Sequence, residues 1–169
     1  IEVGENDFVF SSLPMKMLAG FLSPSVTPET KKLIDDKIIL NDLLLVFLYV
    51  DKQSLIDESW VFIPDPTIAF HRLSEQESFD PGMAPNGSIV CCEIMDNELR
   101  PMSTKSDEEL CAMAQDGLAQ MGYKGFTVRD QRVVRLPSSY PVFRPGFEEA
   151  LEKILVEFDS MKNFRTVGR

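Results

Sequence analysis

The sequence predicts an α+β fold, a mixed and largely antiparallel sheet with flanking helices. Strand-like runs joined by short connections fill its middle third, helix-capping chemistry stands toward each end, and no internal repeat or low-complexity tract interrupts the pattern.

The elements follow in order. Residues 1–12 alternate loosely and predict a β-hairpin, with Gly4-Glu5-Asn6-Asp7 as the turn and Phe8-Val9-Phe10 as the second arm. Pro14 ends that arm, and Met15 to Leu22 reads as a short apolar helix broken by Pro24. Thr27 and Pro28 are the N-cap and first position of a helix through Asp35. Ile38 to Val50 is almost continuously apolar, which predicts a central strand buried on both faces. Strands are expected again over Trp60 to Ile63 and Ile68 to Leu73. Asp80-Pro81-Gly82 and Pro85-Asn86-Gly87 supply turn chemistry before a strand from Ser88 to Met95. The short connections imply antiparallel pairing.

Ser106-Asp107-Glu108-Glu109 is a capping box that opens a helix to about Gly122, with Leu110, Met113, Ala114, Leu118 and Met121 on one face. Phe126 to Leu136 predicts a strand, stopped by Pro137-Ser138-Ser139-Tyr140-Pro141. After Val142-Phe143, an amphipathic helix over Phe147 to Ser160 and a strand over Phe164 to Val167 complete the chain.

Composition bounds the function. With 169 residues and 44% hydrophobic content the chain can build one ordinary domain core. The longest apolar run, Leu43 to Val50, is far short of the roughly 20 residues a membrane-spanning helix needs, so no transmembrane segment is expected. A net charge of -10 argues against a nucleic-acid partner, whose phosphates would be repelled. Cys91, Cys92 and Cys111 lack metal-type spacing. They predict core thiols in a reducing, cytoplasmic setting, with a vicinal Cys91–Cys92 disulfide as the alternative. Ile1 already lies inside an alternating pattern and the chain closes on Gly168-Arg169, so both ends read as internal to a longer chain. No signal-peptide pattern is visible, and one would have to lie upstream.

Recognisable catalytic motifs are few. One histidine, His71, cannot anchor a metal centre without paired cysteines, and no G-x-S-x-G elbow presents a serine to it. Neither G-x-G-x-x-G nor a Walker loop occurs. Asn86-Gly87-Ser88 matches a glycosylation sequon, a pattern common by chance. What stands out is a set of aromatics and arginines on predicted strands: Trp60, Phe62, Phe70, Arg72, Tyr140, Phe143 and Arg144. These residues could wall a site for a flat or anionic organic ligand, a small-molecule substrate. Alternatively the aromatics are core and the arginines surface.

Taken together, several segments resemble the FAD-dependent amine oxidase and protoporphyrinogen oxidase superfamily, including its UDP-galactopyranose mutase relatives. DFVFSSLPMKML (Asp7 to Leu18) resembles the family's return segment from the flavin domain, and ESWVFIPDPTIAFHRLSE its paired W-I-Y and F-x-R-x-S strands. SDEELCAMAQDGLAQMG, VVRLPSSYPVFRPGFEEALEKI and FRTVGR are similar to the helix, crossing and final strand that follow. Ser138-Ser139 and Phe143 depart from the pattern.

The resemblance implies that residues 15–162 form a substrate-binding domain, entered through a flavin-domain return segment at 1–14 and left through the start of a second flavin-domain segment at 163–169. It implies FAD as cofactor, held mainly by sequence outside this chain, with Ser11, Ser12, Pro14, Gly168 and Arg169 on the flavin side. Arg72 and Tyr140 would meet the substrate, with Trp60 and Phe70 as apolar wall. No universal catalytic side chain is implied, because the isoalloxazine accepts the hydride. A mutase-like isomerase and a non-catalytic module of the same fold are the alternatives.

Overall fold

A computed structural model describes residues 4–22 and 25–168. The chain divides into two compact units, residues 1–40 with 141–169, and residues 41–140. Each has its own apolar cluster, where composition suggested one core.

The second unit is built on a five-stranded sheet of order β3-β4-β5-β2-β6. Its strands are β2 (Ile39–Val50), β3 (Trp60–Phe62), β4 (Arg72–Glu75), β5 (Ser88–Asp96) and β6 (Val128–Val142). The β2–β5, β3–β4 and β4–β5 pairs are antiparallel, as the short connections require. Helix α3 (Asp107–Gln120) begins at the Ser106 N-cap with both bonds of the capping box formed. Gly122, at φ 90°, follows its last turn.

Alternation along the strands sorts the sheet into two faces. Leu44, Val46, Leu48, Leu73, Val90, Cys92 and Ile94 are buried in one cluster with Leu110, Ala114 and Leu118 of α3. The intervening β2 residues Leu45, Phe47 and Tyr49 are only half-buried. Thus β2 is not the strand buried on both faces. β5 holds the middle of the sheet, where Cys91 and Glu93 on the second face are buried too.

Pro137 does not stop the strand at Leu136. β6 runs on through Pro137 and Pro141 to Val142, because an edge strand tolerates residues that lack an amide donor. At the irregularity Ser138 takes φ 53°, and its amide donates to Asp42 Oδ1 at 2.7 Å. His71 and Phe70 precede β4 instead of lying on it.

The first unit holds α1 (Met15–Phe21), α2 (Pro28–Lys37), α4 (Phe147–Asp159) and the pair β1 (Val9–Ser11) and β7 (Phe164–Thr166). Thr27 caps α2 by accepting from the Thr30 amide, with Pro28 at the first helical position. Glu157 of α4 accepts from the amide and hydroxyl of Thr27, tying the start of α2 to α4. Leu18, Ile34, Ile154, Phe158 and Phe164 centre the core.

The second arm of the expected N-terminal hairpin has a partner the sequence did not predict. A Gly4–Asp7 turn is present, but β1 pairs in parallel with β7, Val9 opposite Phe164 and Ser11 opposite Thr166. The predicted first arm at 1–3 lies outside the described residues. The single mixed sheet is therefore two sheets, one antiparallel and one parallel, and the α+β class holds. Among the described residues no helix is long and apolar enough to cross a membrane.

Candidate functional site

The sheet face opposite α3 carries a cluster of aromatic and polar side chains. Register places Phe62, Arg72 and Glu93 in one row across β3, β4 and β5, and Trp60, Ser74 and Cys91 in the next. On β2, Phe47 lies opposite Cys91 and Tyr49 opposite Ile89. One long-range pairing pattern thus assembles side chains from four strands into one surface.

Arg72 is committed within this surface. Its Nε donates to Glu93 Oε1 at 2.7 Å and its Nη2 approaches the same oxygen at 2.5 Å. The Glu93 side chain is only 7% exposed and that of Arg72 31%, so the carboxylate is sunk into the sheet beneath a partly open guanidinium. The hydrogen bond to Glu93 raises the Arg72 pKa further above its ordinary value. Arg72 also stands over the Phe62 ring, 5.9 Å from its centroid, and Phe62 meets Trp60 edge-on at 5.1 Å. The fork expected to greet an anion is already neutralised by an internal carboxylate.

Two buried polar atoms here have no hydrogen-bond partner, His71 Nδ1 and Glu93 Oε2. The His71 ring stands edge-on to Tyr140 with centroids 6.3 Å apart. Burial holds the His71 pKa below its ordinary value, with Glu93 pulling it up and Arg72 pushing it down. Burial pushes the Cys91 thiol up to about 12, with Glu93 adding to the rise and Arg72 and Ser74 opposing it. Among the described residues no three His, Cys, Asp or Glu side chains gather as they would around a metal ion.

The structure therefore brings Arg72, Tyr140, Trp60 and Phe62 onto or beside one surface, and it adds Glu93 and His71. Phe70 does not join them. It is 1% exposed in the core with α3, where a Cβ on Gly117 would lie 2.5 Å from its Cε1, so it fills space under the helix. Phe143 and Arg144 belong to the other unit, where Phe143 meets Phe147 edge-on at 5.0 Å. Glu93 escaped the sequence reading because its partner lies on another strand. The available signal was a lone charge inside the apolar run SIVCCEIM.

The residues expected on the flavin side also converge, within the first unit. The Val167 amide donates to the Ser11 carbonyl at 2.8 Å, extending the β1–β7 pairing. A Cβ on Gly168 would lie 2.3 Å from the Leu13 carbonyl oxygen and 2.8 Å from that of Ser12, so only glycine permits this approach. Ser11 is buried, Ser12 exposed and Pro14 half-buried, whereas Arg169 lies outside the described residues. Ser12 and Gly168 both follow the carboxyl ends of parallel strands, where ligands bind in parallel sheets. This backbone arrangement fits a cofactor approached by main chain.

Comparison with known proteins bears on the fold. No family model matches the sequence, and no curated protein does. Among solved structures, that of a reduced UDP-galactopyranose mutase matches with a TM-score of 0.77 at 17% identity, covering 94% of this chain and 34% of that one. A protein from Exiguobacterium sp. 255-15, provisionally described as a protoporphyrinogen oxidase, matches with a TM-score of 0.68 at 16% identity, covering 95% of this chain and 36% of that one. The chain thus spans about a third of the length of each neighbour. At the level of the fold, the resemblance read from its segments holds: this chain has the architecture of the corresponding third of those two proteins.

Proposed function

We propose that this chain is the substrate-binding part of an FAD-dependent oxidoreductase of the amine oxidase and protoporphyrinogen oxidase type. The organic substrate lies against the sheet face that carries Arg72, Trp60 and Tyr140 and gives up a hydride there. The observation that supports this most is the asymmetry of the sheet: α3 seals one face, while the other exposes Trp60 and Phe62 by 50% and 61% around a partly open ion pair. Half-open apolar walls with a few fixed polar groups are what small-molecule sites are made of.

FAD, when bound, supplies the hydride acceptor. The Ser12 and Gly168 main chain would hold one side of it, with Ser11 and Pro14 fixing the course of that segment and the rest of the binding falling to sequence outside this chain. On this reading residues 1–14 and 163–169 belong with the flavin-binding part. The chain's own residues orient the substrate: Trp60 and Phe62 exclude water, and the Arg72 guanidinium donates hydrogen bonds while Glu93 fixes its plane.

Mutating Arg72 to alanine would strand Glu93, so Arg72→Lys is the cleaner test, keeping the charge and losing the fork. In the longer protein it should lower kcat/KM at least tenfold and leave the flavin spectrum unchanged. An unaltered kcat/KM would remove Arg72 from the site. The isolated chain should show no stoichiometric flavin absorbance and no turnover.

A second reading rests on the higher TM-score with UDP-galactopyranose mutase, 0.77 against 0.68. In it the same face holds a nucleotide sugar that is isomerised with no net redox change. Consumption of reducing equivalents by the longer protein separates the two.

A further inference from the structure

The open face extends beyond the Arg72 region. A groove of about 340 Å³ is lined by Phe47 and Tyr49 of β2, Ile89 of β5, Val134 of β6 and the exposed Met83. Ile89 and Glu93 project from the same face of β5 four positions apart, which is about 13 Å along a strand. Cys91 and Phe47 form the row between them, so the groove and the Arg72–Glu93 pair are two ends of one surface. The floor is apolar and partly aromatic. The charged residues lining the groove, Asp130 and Arg132, are of opposite sign and leave no net attraction for an ion. Met83, a flexible and polarisable side chain that is 52% exposed, can close over rings of different shape.

A second cavity of this unit, near Ser54 and Glu77, differs. The buried Glu75 carboxylate there accepts from the Leu55 and Ile56 amides at 2.7 and 3.0 Å and serves the loop.

We propose that the Phe47–Tyr49–Ile89–Met83 groove is a subsite for the flat, uncharged aromatic body of an elongated amphipathic ligand whose polar end lies at Arg72 and Tyr140. The inference rests on the substrate-face reading above and names the class of ligand: a molecule about 13 Å or more in length, apolar at one end and hydrogen-bonding at the other.

The test uses the full chain labelled with 13C-methyl methionine and the probe 6-(p-toluidino)naphthalene-2-sulfonate, which has an aromatic body and one anionic end. The Met83 methyl resonance should shift saturably while that of Met17, 52% exposed in the other unit, stays in place. Phe47→Asp should weaken binding at least tenfold, and Arg72→Lys severalfold. Since Phe47→Asp could unfold the sheet, Met83→Glu at an exposed position gives a second reading, scored by probe fluorescence, and should also weaken binding.

A Met83 shift indifferent to Arg72→Lys would mean the two ends do not share a ligand and would overturn the proposal. So would a shift confined to Met17, or a Met83 signal that moves with protein concentration alone, which marks contact with a second copy. Loss of substrate affinity in Arg72→Lys of the longer protein, with Met83 silent to the probe, would sink the groove and leave the substrate-face reading standing.

Discussion

The Ser138 amide donates to Asp42 Oδ1 at 2.7 Å, and this bond holds a non-glycine residue at φ 53° in the middle of β6. Left-handed backbone costs a non-glycine residue about 1–3 kcal/mol and persists where the surroundings enforce it. Tyr140 follows two residues later, so the latch helps to set where its ring stands beside His71. Asp42→Ala should lower stability by about 1.5 kcal/mol, the low end for a hydrogen bond to a charged acceptor, because the bond is exposed. Asp42→Asn retains an acceptor and should cost less than half of that. Ser138→Gly relieves the backbone and should stay within about 1 kcal/mol of the parent. Urea titration of the three variants checks the order, and equal losses in all three would exclude a latch.

The Arg72–Glu93 pair sets a second expectation. Removing the guanidinium leaves a carboxylate whose side chain is 7% exposed without a counter-charge, and breaking such a pair costs about 3–5 kcal/mol. Arg72→Ala alone should be strongly destabilising, whereas Arg72→Met combined with Glu93→Leu should fall within about 1–2 kcal/mol of the parent. A double-mutant cycle by chemical denaturation measures this, and additive losses would show that the pair is not coupled.

Gly117 lies where α3 crosses Phe70. An alanine Cβ there would sit 2.5 Å from Phe70 Cε1 and 3.2 Å from Ile68 Cγ2. Alanine improves helix propensity by about 1 kcal/mol, but overpacking a filled core costs about 1–3 kcal/mol. Gly117→Ala should therefore lower Tm. Pairing it with Phe70→Leu should recover part of the loss, and a raised Tm in the single variant would contradict the contact.

His71 supplies the pH dependence. Burial lowers its folded-state pKa below the ordinary 6.5, against the opposing pull of Glu93, while Arg72 lowers it further and Tyr140 faces the ring. Between the folded value and 6.5 the unfolded chain binds more protons than the folded one, so stability falls as pH drops through that window and levels off below it. The difference in urea midpoint between the parent and His71→Gln should shrink as pH is lowered from about 7.5 to about 4.5. A constant difference would place the imidazole in water.

All three cysteines should resist alkylation in the folded protein. Burial raises each thiol, Cys91 to about 12, and the reactive species is the thiolate. Iodoacetamide at about pH 8 should leave the native chain unmodified and label all three sites once it is denatured. Adjacent strand positions send Cys91 and Cys92 to opposite faces, and both are free.

Local chemistry decided much of this molecule. The Thr27 and Ser106 caps, Pro28 at a helix start, the α+β class and the spans of α3, α4 and β5 follow from turn-by-turn preferences that act over a few residues. So does the approach of Gly168 to a neighbour, in so far as a glycine marks where a side chain would not fit.

What the tertiary structure alone decided is pairing. That β1 lies parallel to β7, whether Pro137 ends β6 or sits on an edge, and whether Phe70 walls a ligand or fills the space beneath α3 depend on partners distant in the chain. The same holds for Arg72. Its sequence neighbours announce a cation on a strand, but the charge it presents is set by Glu93, twenty-one residues away and brought opposite by the β4–β5 register. Side-chain chemistry is written residue by residue, whereas the field around a side chain is summed over everything the fold packs against it.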